Sequence, residues 1–387
     1  MIYIDVSVLT LATFVTGIQR VTREVILRII EKDEDALELL HYNAKDECFR
    51  KIDNKKFYDF YKNGKGIKQR MITGEKRRIE EIGQGDVWFD LDAAWMGKVR
   101  RSYLLPILKK QGCRIISHIY DIISLTHPQY CLERGVYNFS DYIGAHLSYD
   151  DEIIVNAKAT KDELEKLVSK CDIRLPECHV IYLGANFSND RKIEKNEVTE
   201  EVAKATENSK YLLMVGTVEP RKNHKLVLDA FEGKGMDGDI PSLKEQGYKL
   251  IIAGSMGWKM EDFEKRLKEH PDMGKDLFFF EGLGDKDISF LYQNAEYLIF
   301  ASYVEGFGLP VIEGVMKGTR VVCADVPVLR EIGGNKCLWF KQDDTESLAS
   351  VIYEDTRNGK PAFVEKVDIN SFLWDNTTGE ILNILRR

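Results

Sequence analysis

The chain has no closely spaced cysteine pair. Its seven cysteines (Cys48, Cys113, Cys131, Cys171, Cys178, Cys323 and Cys337) are scattered, odd in number and never in a C-x-x-C arrangement. That excludes a disulfide framework or zinc knuckle and fits reduced thiols in a cytoplasmic protein. There is no excess of cations: 55 Lys and Arg stand against 63 Asp and Glu, a net charge of −8, which excludes a general nucleic-acid binder. No apolar run is long enough to span a bilayer. The opening Met1-Ile2-Tyr3-Ile4-Asp5 lacks the basic start, long apolar core and cleavage site of a signal peptide, and reads as a buried first strand. Internal repeats and low-complexity tracts are also missing. What remains is an ordinary globular composition, 44% hydrophobic and 30% charged over 387 residues, long enough for two α/β domains.

Two alternating series fill that length. Strand patterns at residues 2–6, 86–91, 114–119, 152–155 and 179–183, with helical patterns at 17–31 and 159–167, form the first. Strands at 211–215, 249–253, 277–281, 297–301 and 320–323, with helices near 223–231, 287–293 and 310–317, form the second. Such alternation predicts parallel sheets covered by helices on both faces. The polar, charge-dense stretch 186–210 reads as a linker. The expected division is a first doubly wound, Rossmann-like domain over 1–185, a second over 211–365, and an amphipathic C-terminal helix over 366–387 that caps one of them. A ligand is expected in a central cleft, at the C-terminal strand edges.

The most informative segment is Glu305-Gly306-Phe307-Gly308-Leu309-Pro310-Val311-Ile312-Glu313. It follows an apolar strand pattern and leads into a short helix. A helix N-terminus presents free amides and a positive dipole end, which suits phosphate, and flanking carboxylates suit sugar hydroxyls. Gly306 and Gly308 permit close backbone approach, Pro310 fits the first turn, and Gly318 fits the stop. Upstream, Gly216-Thr217-Val218-Glu219-Pro220-Arg221-Lys222-Asn223 places two cations at the start of a helix. Cations are poorly placed there on dipole grounds unless an anion shares the site. In the first series, Thr16 is positioned to cap a helix at Gly17. Asp121 follows the 114–119 strand and is expected at the rim, with His118, Tyr120 and His127 nearby. His118, two residues before Tyr120, is expected on the opposite strand face.

These motifs resemble the retaining nucleotide-sugar glycosyltransferases of family four, which have the GT-B fold. The likeness extends over most of the chain. It includes Thr16-Gly17-Ile18-Gln19-Arg20, Ile119-Tyr120-Asp121 with His127-Pro128, residues 279–285, and Phe372-Leu373-Trp374-Asp375. The resemblance implies that Glu313 binds ribose hydroxyls and Glu305 the donor sugar. It implies that Lys222, Arg221 and the amides of Gly306, Phe307, Gly308 and Leu309 hold the diphosphate, with Gly17, Thr217 and Leu283 completing the donor contacts. Some relatives carry arginine where Thr217 stands, which leaves Lys222 and Arg221 as the principal cations. The catalytic set is then Asp121, Glu305 and Lys222, with His118, Tyr120 and His127 on the acceptor side, and the C-terminal helix is expected to return to the first domain. The implied activity is retaining, metal-independent transfer of a hexosyl unit from GDP-mannose or a dTDP- or UDP-sugar to a glycan or lipid-linked glycan. Bacterial surface-polysaccharide assembly is the implied setting. No cofactor is expected, and Asp90-Leu91-Asp92 reads as a rim or capping feature. A non-catalytic sugar-binding subunit, an epimerase and a phosphorylase remain alternatives.

Residues 50–78 carry eleven cations against three acids, interleaved with Phe57, Tyr58, Phe60 and Tyr61. Lys98, Arg100, Arg101, Lys109, Lys110 and Arg114 add a second basic cluster. Two readings stay open: a solvated, mobile loop, or peripheral attachment to an anionic membrane at the inner face of the plasma membrane.

Overall fold

A computed structural model describes residues 1–12, 16–171, 173–186, 191–361 and 369–387. The chain divides into two compact units, Met1–Gly184 with Asn370–Arg387, and Ala185–Ile369.

The first unit contains β1 (Ile2–Asp5), β2 (Leu37–Asn43), β3 (Cys48–Ile52), β4 (Ile72–Arg77), β5 (Val87–Asp90), β6 (Arg114–Ile119), β7 (Glu152–Val155) and β8 (Glu177–Val180). They form one sheet in the order β4-β3-β2-β1-β5-β6-β7-β8. The run from β2 to β8 is parallel, whereas β3 and β4 pair antiparallel at the edge. Central strands such as β1 and β5 are apolar and buried along their length, as a sheet covered on both faces requires. Strand order reverses between β1 and β5, so their C-terminal ends open a crevice at the switch point.

The helix Trp374–Leu385 belongs to this unit. Trp374 is fully buried, the Thr377 hydroxyl donates to the Tyr182 carbonyl at 2.8 Å, and Arg114 donates to the Ile384 carbonyl at 2.8 Å.

The second unit contains β9 (Lys210–Val215), β10 (Tyr248–Ala253), β11 (Leu277–Phe280), β12 (Tyr297–Phe300), β13 (Arg320–Ala324) and β14 (Cys337–Phe340). Their order is β11-β10-β9-β12-β13-β14, all parallel. Apolar runs such as Tyr211-Leu212-Leu213-Met214 are buried on both faces. The switch point falls between β9 and β12, so the two motif-bearing loops that follow these strands are neighbours.

Three expectations change. The stretch expected as a linker is largely part of the second unit. Helix Glu200–Ala205 buries Val202 and Ala205, and the Thr199 amide donates to Asp287 at 2.8 Å. Residues 187–190 of that stretch, and 362–368 near the expected end of the second domain, lie outside the described residues. The basic segment 50–78 is an ordered edge rather than a mobile loop: β3, the helix Asn54–Asn63 and β4. Phe57 and Met71 anchor it in the core. Acids from outside the segment neutralise part of its charge, since Lys62 meets Glu31 at 3.2 Å and Arg77 meets Glu38 at 2.6 Å. Arg101 of the second basic cluster is not a surface cation at all: it is 2% exposed.

Candidate active site

Two strand-end loops build the site in the second unit. After β9 the chain turns through Gly216 and a short turn, Pro220–Lys222, before the helix His224–Glu232. Asn223, in the left-handed region at φ 53°, caps that helix. After β12 it passes Ser302 and Glu305 to the helix Leu309–Met316, which starts at Gly308 with φ 96° and no side-chain cap. A Cβ on Gly308 would lie 2.8 Å from Leu329, so both conformation and packing call for glycine there. No side chain caps this first turn, so its positive dipole end is left for an anion.

The loops meet through charge. Arg221 reaches one oxygen of Glu305 at 2.7 Å, Lys222 the other at 2.5 Å, and the Ser302 hydroxyl donates to Glu305 at 2.7 Å. Glu219 also pairs with Arg221 at 2.7 Å. Burial alone would raise the Glu305 carboxyl, but Arg221 and Lys222 hold it down to about 2. Burial lowers the Lys222 ammonium, and Glu305 opposes the shift. Lys222 also lies 4.5 Å above the Phe300 ring, a further source of cation stabilisation.

Glu313, on the first turns of the same helix, is buried and accepts a 2.8 Å hydrogen bond from the Tyr292 hydroxyl. Gly306, Phe307 and Gly308 are buried, with Leu309, Thr217 and Leu283 partly exposed. The Gly216-to-Lys222 loop also abuts the loop after β10. A Cβ on Gly254 would sit 1.9 Å from the Gly216 carbonyl oxygen, so no other residue fits. Sequence reasoning missed Glu219, Gly254, Tyr292 and Ser302. The glycines of Ala253-Gly254-Ser255-Met256-Gly257, directly after an apolar strand, were the available signal for the β10 loop. Nothing local marked Tyr292, whose partner lies 21 residues away.

In the first unit, Thr16 caps the helix Gly17–Asp33 in a capping box with Gln19, whose side chain accepts from the Thr16 amide at 2.9 Å. Gly17 is exposed at its start. Asp121 follows β6 and accepts from the Ile123 amide at 2.9 Å, and His127 contacts the Thr126 hydroxyl through Nδ1 at 2.9 Å. His118 and Tyr120 are not at a rim: both are buried. They share one strand face, contrary to expectation, with ring centroids 4.4 Å apart and planes 11° apart, because residues i and i+2 repeat a face. Burial pushes the His118 imidazole down to about 3, and the Tyr120 hydroxyl donates to the Leu91 carbonyl at 2.6 Å.

Asp90 and Asp92 are likewise interior rather than rim groups. Asp90 pairs with Arg101 at 2.6 Å and His146 at 3.1 Å. Asp92 accepts from the Leu9 and Ala93 amides at 2.7 and 2.8 Å, capping the helix Ser7–Leu11 from a distant strand end. Burial raises the Asp92 carboxyl to about 7. Among the described residues, one grouping has ligand-like spacing for a metal, Glu152, Glu177 and His179. It lies at the N-terminal ends of β7 and β8, where Arg114 already pairs with Glu152.

Residues 195–361 match the model of the glycosyl transferases group 1. The serotype-specific mannosyltransferase WbdA of Escherichia coli is 26% identical over 367 residues, covering 91% of this chain and 41% of its own length. The chain thus spans about two fifths of the first relatives it matches. The O-antigen chain mannosyltransferase B of Escherichia coli is 23% identical over 95% of both chains. A glycosyltransferase from Rickettsia africae superposes with a TM-score of 0.64 at 15% identity, over 100% of this chain and 97% of that one. Anabaena Alr3699/HepE, solved with UDP-glucose, gives 0.61 at 13% identity over the same shares. The chain therefore has the two α/β units of the GT-B fold, and residues 195–361 belong to the glycosyl transferases of group 1.

Proposed function

We propose that this chain is a retaining, metal-independent hexosyltransferase that uses a nucleoside diphosphate sugar and elongates a glycan or lipid-linked glycan. The observation that carries this reading is Glu305 pinned by Arg221 and Lys222 beside an uncapped helix N-terminus. A diphosphate entering there competes for both cations and adds the helix amides, freeing Glu305 to accept from sugar hydroxyls. Glu313, steadied by Tyr292, takes the ribose hydroxyls. The bond from the anomeric carbon to the diphosphate oxygen then breaks while the acceptor oxygen attacks from the same face. The departing oxygen takes the acceptor's proton. Catalysis consists of positioning and stabilisation of leaving-group charge by Lys222, Arg221 and the helix end. Asp121, at the end of β6, orients the acceptor hydroxyl.

Mannose from GDP-mannose is the favoured donor sugar, because the relatives at 26% and 23% identity are named mannosyltransferases. O-antigen assembly is the favoured setting. A thermal-shift screen with GDP-, UDP-, dTDP- and ADP-sugars tests the donor: the true donor at a hundred times its dissociation constant adds about 2.7 kcal/mol of stability. NMR of the product is expected to show the donor's anomeric configuration, and turnover is expected to survive EDTA. No stabilisation by any of the four would overturn the reading.

A further inference from the structure

Ten large apolar side chains are exposed among the described residues, and five of them fall within residues 96–137. They are Met96 (66% exposed), Tyr103 (74%), Ile107 (47%), Leu132 (53%) and Tyr137 (65%). Tyr103 and Ile107 lie on the helix Arg101–Lys110, and Tyr137 on the helix Glu133–Tyr149. These helices share an inner core of Leu104, Leu105, Leu108 and Ala145, so their apolar outer residues are not needed for packing the unit. On the first helix, positions 100, 103, 107 and 110 line one face by helical spacing. That stripe reads Arg-Tyr-Ile-Lys. The Arg100 guanidinium lies 5.2 Å over the Tyr137 ring and ties the two outer faces together.

The rim of this patch is mainly cationic although the chain is acidic, with Glu133 an exposed acid among its cations. Lys98, Lys110 and Arg134 are exposed and take part in no ion pair among the described residues. Arg100 is only loosely paired with Asp141, at 3.9 Å. An exposed apolar patch in a soluble unit marks an interaction surface. A two-fold contact with a second copy would bring these like charges together and would need a charge-depleted centre. An anionic bilayer satisfies both halves: tyrosines sit at headgroup depth, and Lys and Arg meet lipid phosphates.

We propose that the outer face of helices Arg101–Lys110 and Glu133–Tyr149 seats the first unit on an anionic lipid surface. Tyr103, Ile107 and Tyr137 enter the interface, and Lys98, Arg100, Lys110 and Arg134 contact phosphates. This moves membrane attachment away from residues 50–78, where Phe57 is core and Tyr58 is spent on Glu31 at 2.7 Å.

Vesicle flotation of the intact chain tests it, with phosphatidylcholine vesicles and vesicles containing phosphatidylglycerol, at low and high salt. Wild type is expected to float with the anionic vesicles at low salt only. Tyr103→Ser/Ile107→Ser is expected to lower partitioning about tenfold or more, and Lys98→Glu/Lys110→Glu at least about twentyfold, since each cation near such a surface contributes about fivefold. Lys65→Glu/Arg70→Glu is expected to retain most binding. Melting temperature checks each fold, and the charge variant, whose side chains carry no packing, keeps the test intact if the first one unfolds. Equal flotation with neutral vesicles, no flotation at all, or loss in the Lys65→Glu/Arg70→Glu variant alone would overturn the proposal. So would a concentration-dependent dimer that Tyr103→Ser/Ile107→Ser dissolves.

Discussion

Each unit has a crevice where its strand order reverses, and each places a knot of charges there. In the first unit, Arg101 is held by Asp90 at 2.6 Å and Asp5 at 3.0 Å. His146 bridges Asp90 at 3.1 Å and Asp150 at 2.7 Å. All five groups are buried, and each lies within ion-pair distance of an opposite partner. In the second unit, Glu305 is buried, but its partners Lys222 and Arg221 stay 12% and 22% exposed. Four residues after Glu305 begins the helix Leu309–Met316, whose first turn no side chain caps. The first knot is closed: neither Arg101 nor His146 reaches solvent. The second has donors that an incoming anion can take over. The same topological position thus holds a closed scaffold in one unit and the candidate site in the other, and the difference lies in whether the cations reach solvent.

The largest effect should come from breaking the closed knot. Arg101→Met leaves Asp5 without a counter-charge and Asp90 with His146 alone, and should cost about 3–5 kcal/mol, read by urea denaturation. Nucleotide affinity below the transition should change far less than in the site variants. Glu313→Gln should do the reverse. It should leave the unfolding midpoint near wild type while weakening nucleotide-sugar binding about ten- to a hundredfold, the range of a charge-assisted hydrogen bond, as measured by calorimetry. If both variants lost stability and affinity together, the distinction between scaffold and site would fail.

The two knots should also give way at opposite ends of the pH scale. His146 has its imidazole raised to about 9; burial opposes this shift, and Asp150 and Asp90 outweigh it. Against an unfolded value of about 6.5, the folded state binds the proton more tightly. Its stabilisation is complete below pH of about 6.5 and lost as pH rises through about 9. Glu305, held at about 2 against about 4.3 unfolded, contributes above pH of about 4.3 and loses that contribution as pH falls toward 2. Melting curves from pH 7.5 to 9.5, above the titration of Asp92 at about 7, should therefore show a decline that His146→Gln flattens and Glu305→Gln leaves in place.

Much of the second unit was legible because its signals are local. Strands such as Tyr297–Phe300 are unbroken apolar runs, and the glycine-bearing loops that end them carry their charges within a few residues. The first unit hid more. Arg101 reads as one cation in a basic run, yet its partners stand 11 and 96 residues away, and no spacing rule joins them. The strands β3 and β4 were also illegible. As the edge strand β4 and its neighbour β3, they carry few apolar anchors, Phe49 and Ile52 in β3, and charged side chains between them imitate a loop. His118 and Tyr120 show the same limit, since residue type suggested chemistry while burial assigns them to packing.

The smallest predicted effect sharpens the comparison inside the site itself. Tyr292 is wholly buried and donates its hydroxyl to Glu313 Oε2 at 2.8 Å, while its carbonyl accepts from the Thr319 hydroxyl. The ring is therefore fixed by packing and by its own backbone, and only the hydroxyl bears on Glu313. Tyr292→Phe keeps the ring and removes that donor. A net hydrogen bond of this kind contributes about 0.5–1.5 kcal/mol, so nucleotide-sugar binding should weaken about two- to tenfold with the fold intact. If the hydroxyl orients Glu313 toward ribose, the loss should appear in KM, and the same substitution in a Glu313→Gln background should add little, because the carboxylate it positions is gone. Additive losses in that double-mutant cycle would mean that Tyr292 acts on the helix rather than through Glu313.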